Sequence, residues 1–211
     1  MTTPHEEFDR QLQVLTDLGY PALTGLSPTD FTAALQPLRD LTSSAPAEQG
    51  EDHIPFVLVV ARTATGTPID AHTAMGHTAL GSHRGFSDID ADDLARFRPV
   101  ESVTIPGGLG YLLHDIDTGS AYLNVTPADA AASLTARGRT GLTVAEGIAL
   151  ITARPDMLRK NKCFSLLASR CGDKRVPALW ISQRRPKLGW CWNGNPHTWL
   201  GSASAGARVE P

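Results

Sequence analysis

Aromatic residues make up only 6% of this 211-residue chain, charged residues 19%, and it carries three cysteines. Each shortage excludes something. Three cysteines cannot staple a disulfide scaffold of this length. With 41% hydrophobic residues and a formal net charge of −3, the chain is too apolar and too weakly charged to stay disordered. No uninterrupted apolar run approaches the ~20 residues that a bilayer span requires, and no dense Lys/Arg run of nucleic-acid type occurs. The amino terminus, MTTPHEEFDR, lacks the charged-then-apolar layout of a signal peptide. These absences lead to the expectation of a soluble cytoplasmic protein without a membrane partner, its oligomeric state open.

Familiar chemical motifs are missing as well. Gly107-Gly108-Leu109-Gly110 has neither the spacing nor the following helix of a dinucleotide fingerprint, and there is no Walker loop. Gly201-Ser202-Ala203-Ser204-Ala205-Gly206 does not satisfy G-x-S-x-G. Asp88, Asp90 and Asp92 begin like a calcium loop, but Asp93 and Pro99 stand where Gly and Glu are needed. His72, His77 and His83 fit no zinc spacing and read as a solvated loop.

What is present is a division of charge. Residues 1–150 hold 8 Lys/Arg against 19 Asp/Glu, a net of −11, whereas residues 151–211 hold 11 against 3, a net of +8. All four Trp (Trp180, Trp190, Trp192, Trp199) and all three Cys (Cys163, Cys171, Cys191) lie in that basic third. Interleaved cations and indoles suit an anion or nucleic-acid surface. The simpler expectation, which the near-neutral total favours, is that the basic third folds against the acidic two thirds.

The patterning predicts an α+β fold, a mixed or antiparallel sheet with flanking helices and a helical N-terminal segment. Phe8, Leu12, Leu15 and Leu18 recur at helical spacing, and Ser27-Pro28-Thr29-Asp30 opens a second helix. This gives a helical appendage over 1–41, a linker over 42–53, a core domain over 54–206 and a flexible tail over 207–211. In the core, IPFVLVV from Ile54 reads as a buried strand and Asp88 to Phe97 as a short helix. Further strands are expected at 101–105, 109–114, 121–124, 163–168, 177–182 and 188–192, and as a candidate at 197–200. Thr126-Pro127-Ala128-Asp129 and Thr143-Val144-Ala145-Glu146 are capped helix starts.

Two chemical readings converge on the basic third. Cys163, Cys171, Cys191 and His197 have the count and softness of a structural zinc site, without the tight C-x2-C knuckle; apart from that candidate no cofactor is expected. Alternatively, His197 pairs with Cys191 or Cys163 as base and nucleophile. Hairpin register bears on both. A two-residue Asn193-Gly194 turn leaves Cys191 facing away from His197, whereas a three-residue loop to Asn195 pairs them on one face.

NKCFSLLASRCGDKRVPALWIS (161–182) and PKLGWCWNGNPHTWLGSAS (186–204) resemble the signature blocks of an actinobacterial family catalogued as domain of unknown function 5701. GYPALTGLS, IPFVLVV, DLARFRPV, LNVTPADA and GRTGLTVAEGIALIT extend the resemblance upstream, while 62–87 departs from it. The family carries no settled activity, so the resemblance implies a lineage and weights the signature-block positions, Asn161, Trp180 and Trp199 among them. The expectation is a pocket built from residues 161–201 that binds, or acts on, an anionic small molecule. His197 would be the acid or base, and Cys191 or Cys163 the nucleophile or polar partner. Arg170, Arg175 and Lys187 would neutralise the anion, with Asp173, Trp190, Trp192 and Asn195 completing the site. The alternative is a non-catalytic interaction module whose basic, Trp-rich face docks nucleic acid or an acidic protein.

Overall fold

A computed structural model describes residues 2–211, and it is α+β. Among these residues, seven α-helices run in chain order: α1 Pro4–Asp17, α2 Tyr20–Thr24, α3 Pro28–Leu35, α4 Ala71–His77, α5 Ala91–Ala95, α6 Pro127–Ala136 and α7 Val144–Ala153. No helix among the described residues is long and apolar enough to cross a membrane.

Two five-stranded sheets carry the rest. The first is antiparallel. Its long strands His53–Val60 and Gly110–Asp117 are paired, and the short strands Ser204–Ala205, Thr140–Gly141 and Ala207–Val209 complete it. The second is mixed, in the order Leu200–Ser202, Cys163–Ser165, Arg175–Ser182, Arg185–Trp192 and Phe86–Ser87.

Alternation along His53–Val60 explains how the layers form. Phe56, Leu58 and Val60 point to one cluster with Phe8, Leu12 and Leu15 of α1, while Val57 and Val59 point to the other, with Ile148 and Leu150 of α7. The helical N-terminal segment therefore shares a core with the first sheet. Gln11 joins them, its amide donating to Phe56 O at 3.2 Å and its carbonyl accepting from Leu58 N at 2.8 Å.

Helix α7 is the centre of the molecule. Glu146 through Ala153 are buried on every face, as expected of a helix that is apolar all round. One side meets His53–Val60, and the other meets the second sheet, where Gly147 leaves room for Leu166 and Leu179. Its start is the capping box read from Thr143 and Glu146, the Thr143 hydroxyl accepting from Glu146 N and the Glu146 carboxylate from Thr143 N.

Three local expectations give way to stronger local forces. Residues 101–105 form no strand; Val103 N closes a turn on Val100 O at 3.0 Å just ahead of Pro106. Ser120–Tyr122 is a 3-10 turn bracketed by left-handed Gly119 and Asn124, and no strand forms at 121–124. The segment after Trp192 does not fold back on Arg185–Trp192 in either register: one edge of that strand is paired with Arg175–Ser182 from Arg175↔Trp192 to Ser182↔Arg185, and the other takes Phe86–Ser87 at Lys187 and Leu188. Past Trp192 the chain crosses to α6, where Asn193 O accepts from Ala128 N at 3.1 Å, and Leu200–Ser202 then joins Cys163–Ser165 in parallel. At the carboxyl end, Ala207–Val209 of the expected tail is a strand against Gly110–Asp117.

Candidate functional site

The residues nominated in the basic third do not meet at one point. Cys191 and Ser165 share one face of the second sheet with sulfur and hydroxyl 3.7 Å apart, and Cys163 donates to Arg159 O at 3.4 Å. Cys171 donates to Asp173 Oδ1 at 3.1 Å. Burial pushes all three thiols up from their ordinary value. That is the wrong direction for an activated nucleophile. The His197 ring lies beside Trp199, centroids 5.3 Å apart, and no hydrogen bond joins it to any of the thiols. Among the described residues no three His, Cys, Asp or Glu side chains gather where one metal ion could hold them.

Most nominated cations are already committed. Arg175 reaches Asp93 at 2.7 Å and Asp173 at 2.9 Å, and Lys187 reaches Asp88 at 2.5 Å. The Arg175 N–H, then the Cys171 thiol and the Arg175 guanidinium, hold Asp173 down at about 2. Arg170 differs. It donates to Asn193 Oδ1 at 2.8 Å and, among the described residues, meets no carboxylate; burial pulls its guanidinium below its ordinary value. Trp190 and Trp192 stand 37% and 46% exposed on the outer face of the second sheet, edge to face at 4.8 Å, and Asn195 is exposed in the following turn.

One dyad of enzymatic appearance is structural. His53 Nε2 lies 2.8 Å from Asp115 Oδ1, and Arg139 braces the same carboxylate at 2.5 Å. His53 Nδ1 accepts from Gln49 N at 3.0 Å, so its proton is on Nε2, donated to Asp115. Both ring nitrogens are spent, which leaves none to serve as a base.

A cavity with an apolar wall lies elsewhere, at the amino end of α7 where α2, α4 and α5 converge on it. It has a volume of about 360 Å³. Ile69, Ala74, Leu94, Phe97, Ile148 and Ala149 make its apolar wall. Its polar lining is largely satisfied from within. Tyr111 donates its hydroxyl to Glu146 at 2.8 Å, and Ser169 Oγ accepts from Val144 N at 3.0 Å. Burial, and then the charge of Glu146, push the Tyr111 phenol up. Asp70, the lining's one carboxylate, caps α4 by accepting from Thr73 N and Oγ1, both at 2.8 Å.

Beneath the cavity runs a buried network. Glu146 is fully buried and paired with Arg208 at 2.6 Å; Arg208 also donates to Thr140 Oγ1 at 2.8 Å and Gly141 O at 3.1 Å. At the mouth are Arg62 and Arg98, and neither meets a carboxylate among the described residues. Arg98 and Arg170 are directly opposite in the short antiparallel ladder of Arg98–Pro99 with Ser169–Arg170. Like charges so placed repel unless an anion sits between or beside them.

Sequence reasoning missed this cavity because its wall comes largely from 60–111, where Gly, Thr and Ala hide any period. The capped start at Thr143 was its one visible marker. No curated protein and no solved structure matches the chain. Residues 14–211 match the profile described as a family of unknown function, DUF5701, and the chain belongs to that family.

Proposed function

We propose that this chain is a small-molecule-binding protein whose ligand places an apolar body in the cavity at the start of α7 and an anionic end at Arg62 and Arg98. The observation that carries this reading is the cavity itself. It is concave, walled by aliphatic and aromatic side chains, and large enough for a small organic molecule. Its unpaired cations are at the rim, so polarity selects orientation and apolar contact supplies affinity. The raised thiols, and a His197 ring with no hydrogen bond to any of them, support binding over covalent catalysis. Three free thiols suit a reducing compartment, the cytoplasm.

The test uses 8-anilinonaphthalene-1-sulfonate, an apolar aromatic body with one anionic group. The protein enhances its fluorescence with single-site saturation while keeping a cooperative melt. Ala145→Trp, which crowds the exposed mouth position on α7, weakens binding about tenfold or more, and Arg98→Gln weakens it by a smaller factor. Non-saturating enhancement, or unchanged binding in both variants, would sink the reading.

The interaction-module reading retains one supporting observation, the exposed pair Trp190 and Trp192 with the Arg175 guanidinium 5.8 Å from the Trp190 ring centroid. Binding to single-stranded nucleic acid that weakens steeply with salt and is lost in Trp192→Ala would favour it.

A further inference from the structure

We propose a second binding site, for a nucleotide, in the open hollow beside the Gln183–Arg184 turn. Its base would lie against the indoles of Trp180 and Trp199, and its phosphate at Lys160 and Arg184. The hollow is lined by Lys160, Asn161, Cys163, Trp180, Gln183, Arg184 and Trp199, together with Ile181.

Backbone conformation points there first. Five non-glycine residues adopt positive φ among the described residues, and three of them, Asn161 (φ 63), Gln183 (φ 53) and Arg184 (φ 62), line this hollow. Asn tolerates the left-handed region through its short polar side chain; Gln and Arg do not share that excuse. Ser182↔Arg185 is the last pair of the ladder, so Gln183 and Arg184 are a two-residue turn with both φ positive, the form that Asn-Gly makes with least strain. Both side chains are exposed, and Arg184 meets no carboxylate among the described residues. Packing therefore gives no reason for the longer side chains. A ligand at the hollow does, since strain of this kind persists where a side chain is needed for recognition.

The chemistry of the lining is consistent with one ligand class. It contains two cations and no acid, so it suits an anion. Trp180 lies flat over Gly189, where any Cβ would overlap its ring, and Lys187 Nζ covers it at 5.1 Å from the centroid. Trp199 meets it edge to face at 6.1 Å. Two indoles held this firmly give the hollow an aromatic wall that is fixed before binding. The amides of Asn161 and Gln183 offer both donors and acceptors, as the edge of a base requires. Cys163 lies beneath them, its S–H directed to Arg159 O, and forms part of the floor.

The experiment is calorimetric titration of the full chain with ADP, and separately with adenosine and inorganic phosphate. ADP is expected to bind more tightly than either fragment. Replacing the turn by Gln183→Asn with Arg184→Gly is expected to raise Tm by about 2–4 °C, since it relieves the strain. The same change weakens ADP about tenfold or more, since it removes the charge-assisted contact. A stabilised variant that binds ADP as tightly as the parent overturns the proposal, as does no detectable heat with ADP at about 1 mM. Ala145→Trp separates this site from the cavity. Unchanged ADP affinity in that variant supports the hollow, and its loss places the nucleotide in the cavity and overturns the proposal.

Discussion

The acidic two thirds and the basic third are opposite in charge and differ equally in how they use it. Five of the eleven Lys and Arg of 151–211 pair with an acid of 1–150 across the division. Arg159 and Lys162 meet Glu51 and Asp52, Arg175 meets Asp93, Lys187 meets Asp88, and Arg208 meets Glu146. Part of the charge asymmetry is therefore used in assembling one molecule, in the direction of the simpler of the two expectations. What survives is more informative than the total. Lys160, Arg170, Lys174, Arg184 and Arg185 on the basic side, and Arg62, Arg84, Arg98 and Arg137 on the acidic side, have no carboxylate among the described residues, and four of these nine line one of the two pockets. Net charge describes a partner poorly; unpaired charge describes it better.

The contrast between buried and surface links across the division can be broken experimentally. Arg208→Met leaves Glu146 charged and fully buried, which costs roughly 3–5 kcal/mol in urea unfolding. Adding Glu146→Gln removes the stranded charge and recovers part of that loss; equal loss in single and double variants would show that the pair is not what matters. Next comes a joint without side chains. A Cβ on Gly201 would overlap the Gly119 carbonyl, backbone against backbone, so Gly201→Ala lowers stability by about 1–3 kcal/mol in the same assay. Unchanged stability there would mean that the acidic and basic segments can separate freely at this contact.

Arg175 gives a smaller, pH-dependent signal. Asp173 is held at about 2, and Asp93 is held below its ordinary value by Arg175. Because both carboxylates are depressed in the folded chain, their contribution is complete above the ordinary carboxylate range and fades as pH falls through about 2. The Tm difference between the parent and Arg175→Gln stays constant from about pH 7 to 5 and shrinks towards pH 2. A difference that grew on acidification would contradict this. Least affected is Asp88→Asn, because Asp88 is 56% exposed; chemical unfolding should change by only about 0–1 kcal/mol.

How much of this was legible depended on the range of the forces involved. Helix starts were readable because capping is local: Ser27, Thr126 and Thr143 each accept from the amide three residues on. The first helix showed in Phe8, Leu12 and Leu15, all of them buried. The sequence also marked the signature block in which Cys163, Trp180 and Trp199 line the proposed nucleotide site. The register question posed for Cys191 and His197 had a third answer. The partner of Arg185–Trp192 is Arg175–Ser182, joined by a turn whose residues, Gln and Arg, carry none of the usual Asn-Gly signal. Glu146 was readable as a cap and unreadable as half of a buried ion pair, since Arg208 lies 62 residues away.

That double duty of Glu146 binds two distant pieces into one opening unit. Its carboxylate holds the Thr143 amide at the start of α7 and also the guanidinium of the Ala207–Val209 strand. Neither the first turn of the helix nor that strand can open without stranding a buried charge. Amide hydrogens at both places should therefore exchange with solvent at a common rate, although one belongs to a helix and the other to a strand at the far end of the sequence.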